Sequence, residues 1–80
     1  MRIVTAPLPG VFYRRPAPSS PDYKQPGDSV QAGETVGMIE MMKLFTPVES
    51  PQSGRFVGYL VDSDQDVDID QGLCEIEPSK

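Results

Sequence analysis

The stretch Glu40-Met41-Met42-Lys43-Leu44 lies just past the middle of this 80-residue chain, at the junction of two similar halves. Residues that match between the halves at a separation of 37 positions are Val30 and Val67, Val36 and Leu73, Ile39 and Ile76, and Glu40 and Glu77. A second match, at a separation of 44, joins residues 7–12 to residues 51–56. Such self-similarity predicts two structurally equivalent halves, with chance similarity between short apolar patterns as the alternative.

Short apolar stretches separated by glycine and proline predict an all-β domain. The candidate strands are residues 3–6, 11–14, 35–42, 44–49, 55–61 and 73–77. Pro47 cannot donate a backbone hydrogen bond, so it predicts that 44–49 is an edge strand. The spacing of Met38, Met41, Met42 and Phe45 would also suit two turns of helix. Gly37 and Thr46-Pro47 bound that run closely and favour a strand pair instead.

The two separations differ by 7, so the first half holds seven extra residues between Phe12 and Val30, which we place within the segment 15–25. Residues 15–26 contain four prolines, and no regular element fits them. Composition alone favours a flexible linker. The repeat favours a structured loop, because strand material that matches the second half lies on both sides of the segment.

Composition excludes several classes of function. The net charge of −5 argues against binding to nucleic acid or to an anionic membrane. The chain has no histidine, so it lacks the commonest general base and the usual zinc ligand. Cys74 is the single cysteine and is expected to be a small, buried, inert side chain. With no signal-peptide core at the start, these features predict a reducing, cytoplasmic location.

Asp62-Ser63-Asp64-Gln65-Asp66 imitates the start of a calcium-binding loop. The required glycine and glutamate are replaced by Val67 and Leu73, so we expect no calcium site. The segment is expected to be a solvated turn and strand. In that strand Asp66, Asp68 and Asp70 would point outward, and Val67 and Ile69 would point inward.

Lys43 lies where two equivalent strands would meet, at or beside the tip of a hairpin. No Asn-Gly or Gly-Gly is present to supply the positive φ angles that tight hairpins prefer. A turn built from Met42 and Lys43 is therefore locally unfavourable, and such departures tend to mark function. The alternative is a lysine at a strand end that only aids solubility.

These residues together resemble the biotinyl domains of biotin carboxyl carrier proteins of acetyl-CoA carboxylase. Glu40-Met41-Met42-Lys43-Leu44 is similar to the Glu-Ala-Met-Lys-Met signature of that family, with Met41 and Leu44 as departures that keep both sites apolar. Residues 10–14 resemble its Gly-Thr-Phe-Tyr-Arg stretch, and residues 30–40 its Val-x-x-Gly-(Asp/Glu)-Thr-Leu segment.

The resemblance implies that residues 1–80 form one biotinyl domain. Its fold would be a flattened β-barrel, or barrel-sandwich hybrid, of two four-stranded antiparallel sheets with pseudo-twofold symmetry. The segment at about 15–25 would be a protruding thumb loop. By the same resemblance, biotin is joined to Lys43 as an amide. Biotin protein ligase would recognise Glu40, Met41, Met42 and Leu44. Possible thumb contacts with biotin are Ala17, Pro18, Ser19, Ser20 and Pro21.

The implied function is that of a carrier without catalytic activity of its own. It would take a carboxyl group from biotin carboxylase to a carboxyltransferase, most simply in acetyl-CoA carboxylase and fatty acid biosynthesis. The alternatives are the carrier domain of another biotin-dependent carboxylase or decarboxylase, a lipoyl domain, and an unmodified interaction module. Lipoyl domains usually read Asp-Lys-Ala at the lysine, unlike Met42-Lys43-Leu44.

Overall fold

The computed structural model of the chain describes residues 1–79, so that Lys80 lies outside the described part. Eight strands make up its regular structure, and residues 1–79 contain no helix. They are β1 (Arg2–Thr5), β2 (Gly10–Tyr13), β3 (Ser29–Val30), β4 (Thr35–Met41), β5 (Leu44–Glu49), β6 (Gly54–Tyr59), β7 (Gln65–Val67) and β8 (Gly72–Pro78).

The strands form two four-stranded antiparallel sheets. The first sheet has the order β1-β8-β6-β3, and the second has the order β5-β4-β2-β7. Strands β1 to β4 of the first half correspond to β5 to β8 of the second half. Exchanging each strand with its counterpart, β1 with β5 and so on, converts the order of the first sheet into that of the second. The structure therefore confirms the all-β sandwich with pseudo-twofold symmetry, and the extents of 38 × 27 × 19 Å show that it is flattened.

The core lies between the two sheets, and residues that match in the repeat fill it in pairs. Both members of three pairs are buried: Val30 and Val67, Val36 and Leu73, and Ile39 and Ile76. Phe12 and Phe56, the aromatic pair of the second match, are also fully buried. Each such side chain contributes about 1.5–3 kcal/mol by leaving water, so the repeat in the sequence corresponds to the shared core.

Gly10 and Gly54 hold equivalent places, and both are required by close approach of the backbone. A Cβ atom at Gly10 would overlap with the carbonyl oxygen of Glu40, and one at Gly54 with that of Glu77. Glu40 and Glu77 are themselves a matching pair, so each half uses the same glycine contact. Only a residue without a side chain fits such a contact.

The sequence predicted that the strand with Pro47 lies at a sheet edge and that Ile69 points inward, and only the first prediction is correct. The strand with Pro47, β5, is an edge strand as predicted. The expectation that Ile69 points inward is wrong, since 59% of its surface is exposed, whereas Val67 is buried. The reason is that β7 ends at Val67, where the chain turns: the Asp68 N–H donates to the Gln71 side-chain oxygen at 2.9 Å. The alternation therefore stops before Ile69.

The segment between β2 and β3, residues 14–28, has no strand or helix, as expected. It leaves the sheets and returns to them at nearly one place. The Tyr23 N–H donates to the Arg14 carbonyl oxygen at 2.7 Å, and the Gly27 N–H donates to that of Phe56 at 2.8 Å. We call residues 14–28 the β2–β3 segment.

In the part of the chain that the structure describes, no helix has the length and apolar character to cross a membrane. Residues 1–79 also contain no group of three or more acidic, histidine or cysteine side chains that could hold a metal ion.

Candidate functional site

Met42 and Lys43 form the two-residue turn of the β4–β5 hairpin, since Met41 pairs with Leu44 across the two strands. Both turn residues have positive φ, 52° at Met42 and 66° at Lys43. A type I′ turn requires positive φ at both positions, and its twist matches that of the flanking strands. For residues with a Cβ atom this conformation costs about 1–2 kcal/mol each. The turn is therefore formed against local preference, as the sequence indicated.

The hairpin tip presents apolar side chains to solvent around the lysine. Met42 is 84% exposed and Leu44 is 73% exposed, while Met41 is partly exposed at 39%. Lys43 is exposed, and within residues 1–79 it makes no ion pair or side-chain hydrogen bond. Several exposed apolar side chains that are grouped at one tip are typical of a surface that meets another protein.

Lys24, the other lysine among residues 1–79, is in a different environment. Only 12% of its side chain is exposed. Its ammonium donates to the Ser29 carbonyl oxygen at 2.9 Å and pairs with Glu34. The hydrogen bond from Lys24 lowers the pKa of the Glu34 carboxyl. Of the two lysines that the structure describes, Lys43 is the one whose amine is accessible to a reagent.

Glu40 fixes the base of the hairpin to the neighbouring strand. Its carboxylate accepts a hydrogen bond of 2.9 Å from the Tyr13 hydroxyl on β2. That hydrogen bond is the main reason that the pKa of Tyr13 is raised, with smaller contributions from desolvation and from the charges of Glu40 and Asp64. The Tyr13 ring also lies 6.4 Å from the ring of Phe45 on β5. The outer face of the second sheet is thus tied together across three strands.

A groove of about 600 Å³ lies between this outer face and the β2–β3 segment. Its lining residues are Tyr13, Arg15, Pro16, Ala17, Pro18, Met38, Phe45, Ser63 and Asp64. Phe45 is two residues from Lys43, about 7 Å along a strand, so the groove begins within reach of a group carried on the lysine side chain.

Arg14 holds the β2–β3 segment against the end of β6. Its guanidinium carbon lies 4.8 Å from the centre of the Tyr59 ring, a cation–π contact. Its Nε donates to the Val61 carbonyl oxygen at 2.9 Å, and its Nη2 pairs with Asp62 at 3.1 Å. Asp22 in the segment pairs with Arg15 at 3.6 Å and with Arg14 at 4.0 Å.

Tyr59 connects this anchor to the core. Its hydroxyl donates to the Val36 carbonyl oxygen at 2.7 Å, and its ring lies 4.7 Å from that of Phe56. Burial is the main cause of a strongly raised pKa at this hydroxyl. The tyrosine therefore remains a neutral hydrogen-bond donor, and the segment rests on a fixed part of the fold.

The structure brings some of the predicted site residues together and leaves others apart. Glu40, Met41, Met42, Lys43 and Leu44 lie in consecutive positions on the hairpin. Of the five residues of the β2–β3 segment that were predicted to contact biotin, Ala17 and Pro18 line the groove, whereas Ser19, Ser20 and Pro21 do not.

Sequence reasoning missed the sheet wall of the groove, which consists of Tyr13, Met38 and Phe45. The pairing of Tyr13 with Met38 across β2 and β4 puts their side chains on one face. A signal for this was the alternation of each strand about its buried residue, Phe12 in β2 and Ile39 in β4.

The fold and the hairpin define a class of small all-β domains that present one lysine at a tight turn between two equivalent halves. The comparisons with known proteins agree with this class. Residues 2–76 match the family described as "Biotin-requiring enzyme" (Biotin_lipoyl), and the chain belongs to that family. Biotin is the cofactor of this family.

Three relatives are each called biotin carboxyl carrier protein of acetyl-CoA carboxylase. The chloroplastic protein of Glycine max is 40% identical over 91% of this chain, and that of Nostoc sp. is 39% identical over 94%. The protein of Pseudomonas aeruginosa is 35% identical over 92% of the chain. The chain spans 28%, 41% and 47% of the lengths of these three relatives, respectively.

A solved structure of a single-chain, multi-domain long-chain acyl-CoA carboxylase has the same fold. It matches 99% of this chain with a TM-score of 0.80, and the match covers 7% of that protein. The sequence identity is 22%, so this likeness supports the fold and nothing finer.

Proposed function

We propose that Lys43 is the attachment point of biotin and that the domain carries a carboxyl group between two enzymes. The observation that carries the proposal is an exposed lysine on a strained turn in a member of a biotin-requiring family. The names of the three relatives support acetyl-CoA as the final acceptor. The first enzyme would be a biotin carboxylase and the second a carboxyltransferase.

Attachment would form an amide between the Lys43 amine and the biotin carboxyl, activated as biotinyl-AMP, with loss of AMP. The amine must lose a proton before it can attack. Because residues 1–79 place no hydrogen-bond acceptor on Lys43, the ligase would supply the base. The amide removes the positive charge of the side chain. Bound biotin supplies a ureido nitrogen that accepts the carboxyl group.

The side chains around the turn would form the ligase recognition surface. Met42 and Leu44 are largely exposed, and Met41 lies beside them on the hairpin. Glu40 would present a carboxylate whose position is set by the Tyr13 hydroxyl. The apolar tip would give a ligase contact area, and the single carboxylate beside it would fix the position of the hairpin on the ligase.

We propose that residues 15–25 form a thumb that holds the biotin between visits to the enzymes. Its support is the groove, in which apolar side chains of β2, β4 and β5 face Ala17 and Pro18. The bicyclic body of biotin suits such a wall, and its polar ureido group suits the polar lining residues Arg15, Ser63 and Asp64. Among the five thumb positions, the groove supports Ala17 and Pro18 as contacts.

The carrier would act by raising the local concentration of biotin at each enzyme. Within residues 1–79, Cys74 is buried with no partner cysteine, which supports a reducing compartment such as the cytoplasm. The Glycine max relative is a chloroplastic protein, so the compartment would be set by the organism.

A transfer assay tests the carrier function. Chain modified by a biotin ligase is incubated with biotin carboxylase, ATP and ¹⁴C-bicarbonate, reisolated, and then mixed with carboxyltransferase and acetyl-CoA. We expect label first on the protein and then on malonyl-CoA. Label that never reaches the protein would contradict the proposal. Label that stays on the protein with acetyl-CoA but is released to another acyl-CoA offered in its place would identify a different carboxylase. Chain carrying Lys43→Arg is the matched control.

A further inference from the structure

The polar residues of the groove differ in charge from one side to the other. Arg15 belongs to the β2–β3 segment, and its Nε is buried without a hydrogen-bond partner among residues 1–79. Its ion pair with Asp22, at 3.6 Å, is too long to be a hydrogen bond. Arg15 lines the groove from the segment side with 40% of its side chain exposed, so its terminal N–H groups can donate to a group held there.

The opposite side carries negative charge. Asp64 lines the groove, and its φ of 67° together with a 2.8 Å hydrogen bond from its N–H to the Phe12 carbonyl oxygen fixes its place in the turn before β7. The charge of Asp64 acts on the Tyr13 hydroxyl, as does Glu40, which accepts a hydrogen bond from it. Two carboxylates thus stand near the phenol end of Tyr13.

We propose that this groove binds the biotin arm while its ureido ring is neutral and releases the arm once the ring is carboxylated. The inference rests on the proposed function of Lys43. A neutral cyclic urea offers a carbonyl acceptor for Arg15 and N–H donors for Asp64, and apolar walls cover its remaining surface. An anion in the same place would lie beside Asp64 and close to Glu40, which accepts the hydrogen bond of the lining residue Tyr13. The positive charge of Arg15 is offset by its ion pair with Asp22.

Carboxylation changes both the hydrogen-bonding groups and the charge of the ureido ring, the two properties that this groove would distinguish. A bond forms between the bicarbonate carbon and a ureido nitrogen, the N–H proton leaves, and ATP is cleaved to ADP and phosphate. The ring thereby loses a hydrogen-bond donor and gains a negative charge. A like charge in a partly desolvated site shifts the equilibrium by about tenfold or more. The loaded arm would be free for the second enzyme, and the emptied arm would return to the groove.

Methionine methyl NMR can follow the arm in the full chain. The Met38 methyl group reports on the groove, and the Met42 methyl group reports on the hairpin tip. We expect biotinylation to shift the Met38 resonance. Addition of catalytic biotin carboxylase, ATP, Mg²⁺ and bicarbonate should move it back towards its unmodified position, as a bound-to-free ratio of the arm that falls by about tenfold requires. Mass spectrometry of each sample establishes the modification before the spectra are compared.

Asp64→Asn is the informative variant, because asparagine tolerates positive φ and keeps the shape of the side chain. In this variant biotinylation should still shift Met38, but carboxylation should reverse the shift only slightly. Asp68→Asn makes the same change of charge on an exposed residue outside the groove lining and should behave as the unaltered chain does.

Three outcomes overturn the inference while leaving the proposed function standing. The first is a biotinylated chain whose Met38 resonance matches that of the unmodified chain. The second is a carboxylated arm that stays in the groove. The third is a carboxylated arm that leaves the groove of the Asp64→Asn variant as readily as that of the unaltered chain. A chain that takes no biotin at all fails at the mass measurement and refutes the proposed function itself.

Discussion

Replacement of Met42 separates the folding role of the hairpin turn from its recognition role. Met42 has a φ of 52°, a conformation that costs a residue with a Cβ atom about 1–2 kcal/mol. Glycine avoids this cost but loses about 0.5–1 kcal/mol more backbone entropy on folding. The Met42 side chain is 84% exposed, so its removal sacrifices little buried surface. Met42→Gly should therefore stabilise the domain by about 0.5–1 kcal/mol.

For a domain of this size that gain raises the melting temperature by roughly 2–8 °C. Met42→Ala keeps the Cβ atom and its cost, so its melting temperature should stay nearly unchanged. Both variants should be modified more slowly by biotin ligase, because both remove the exposed side chain beside Lys43. Thermal unfolding by circular dichroism and initial rates of biotinylation measure the two effects on the same samples.

Asp70→Gly is the matched control, since Asp70 also has positive φ, at 67°, but lies in the turn between β7 and β8. It should raise the melting temperature by less, because aspartate tolerates this conformation, and it should leave the biotinylation rate unchanged. A Met42→Gly variant that melts several degrees lower would refute the strained turn. A Met42→Ala variant modified at the original rate would refute the recognition role.

Three further predictions concern the rest of the fold. Gly54→Ala should lower the free energy of unfolding in urea by about 1–3 kcal/mol, because its Cβ would overlap with the Glu77 carbonyl oxygen; Gly58→Ala, with no atom within 4 Å, should change it little. Burial raises the pKa of the Cys74 thiol to about 12. A thiol reagent at pH 8 should therefore modify it only through unfolding. Stability should fall as pH rises from about 9 towards 12 in the original chain but less in Cys74→Ala, and rapid labelling of the folded protein would contradict this. Backbone order parameters for residues 16–24 should resemble those of the strands, and values typical of a flexible tail would contradict an ordered thumb.

The repeat and the hairpin could be predicted from the sequence because the two halves need the same types of residue at equivalent positions. The matching pairs Ile39 and Ile76 fill one core from both sides, and Gly10 and Gly54 each meet a carbonyl oxygen in the equivalent place. The lack of a glycine at residues 42–43 showed that a turn there would be unfavourable. The structure shows the reason: both residues of the turn have positive φ angles, which residues with a Cβ atom adopt at a cost.

The groove could not be predicted, because it depends on register and on the path of an irregular segment. Tyr13 and Met38 look like ordinary half-exposed strand residues until their pairing places them side by side. The segment reaches them only because Arg14 stacks on Tyr59 and pairs with Asp62. These contacts span more than forty residues of sequence and follow no local pattern. Ile69 was misplaced for a related reason, since nothing local shows that β7 ends at Val67.

Peptide mapping by mass spectrometry tests most directly whether Lys43 is the carrier lysine. The unaltered chain and Lys43→Arg are each treated with biotin ligase, ATP and biotin, then digested and mapped. We predict one biotinyl group on the unaltered chain, located on Lys43, and none on the variant. Lys24, held by Ser29 and Glu34, should stay unmodified in both. Biotin on another residue of the unaltered chain, or a Lys43→Arg chain that still takes up biotin, would contradict the assignment.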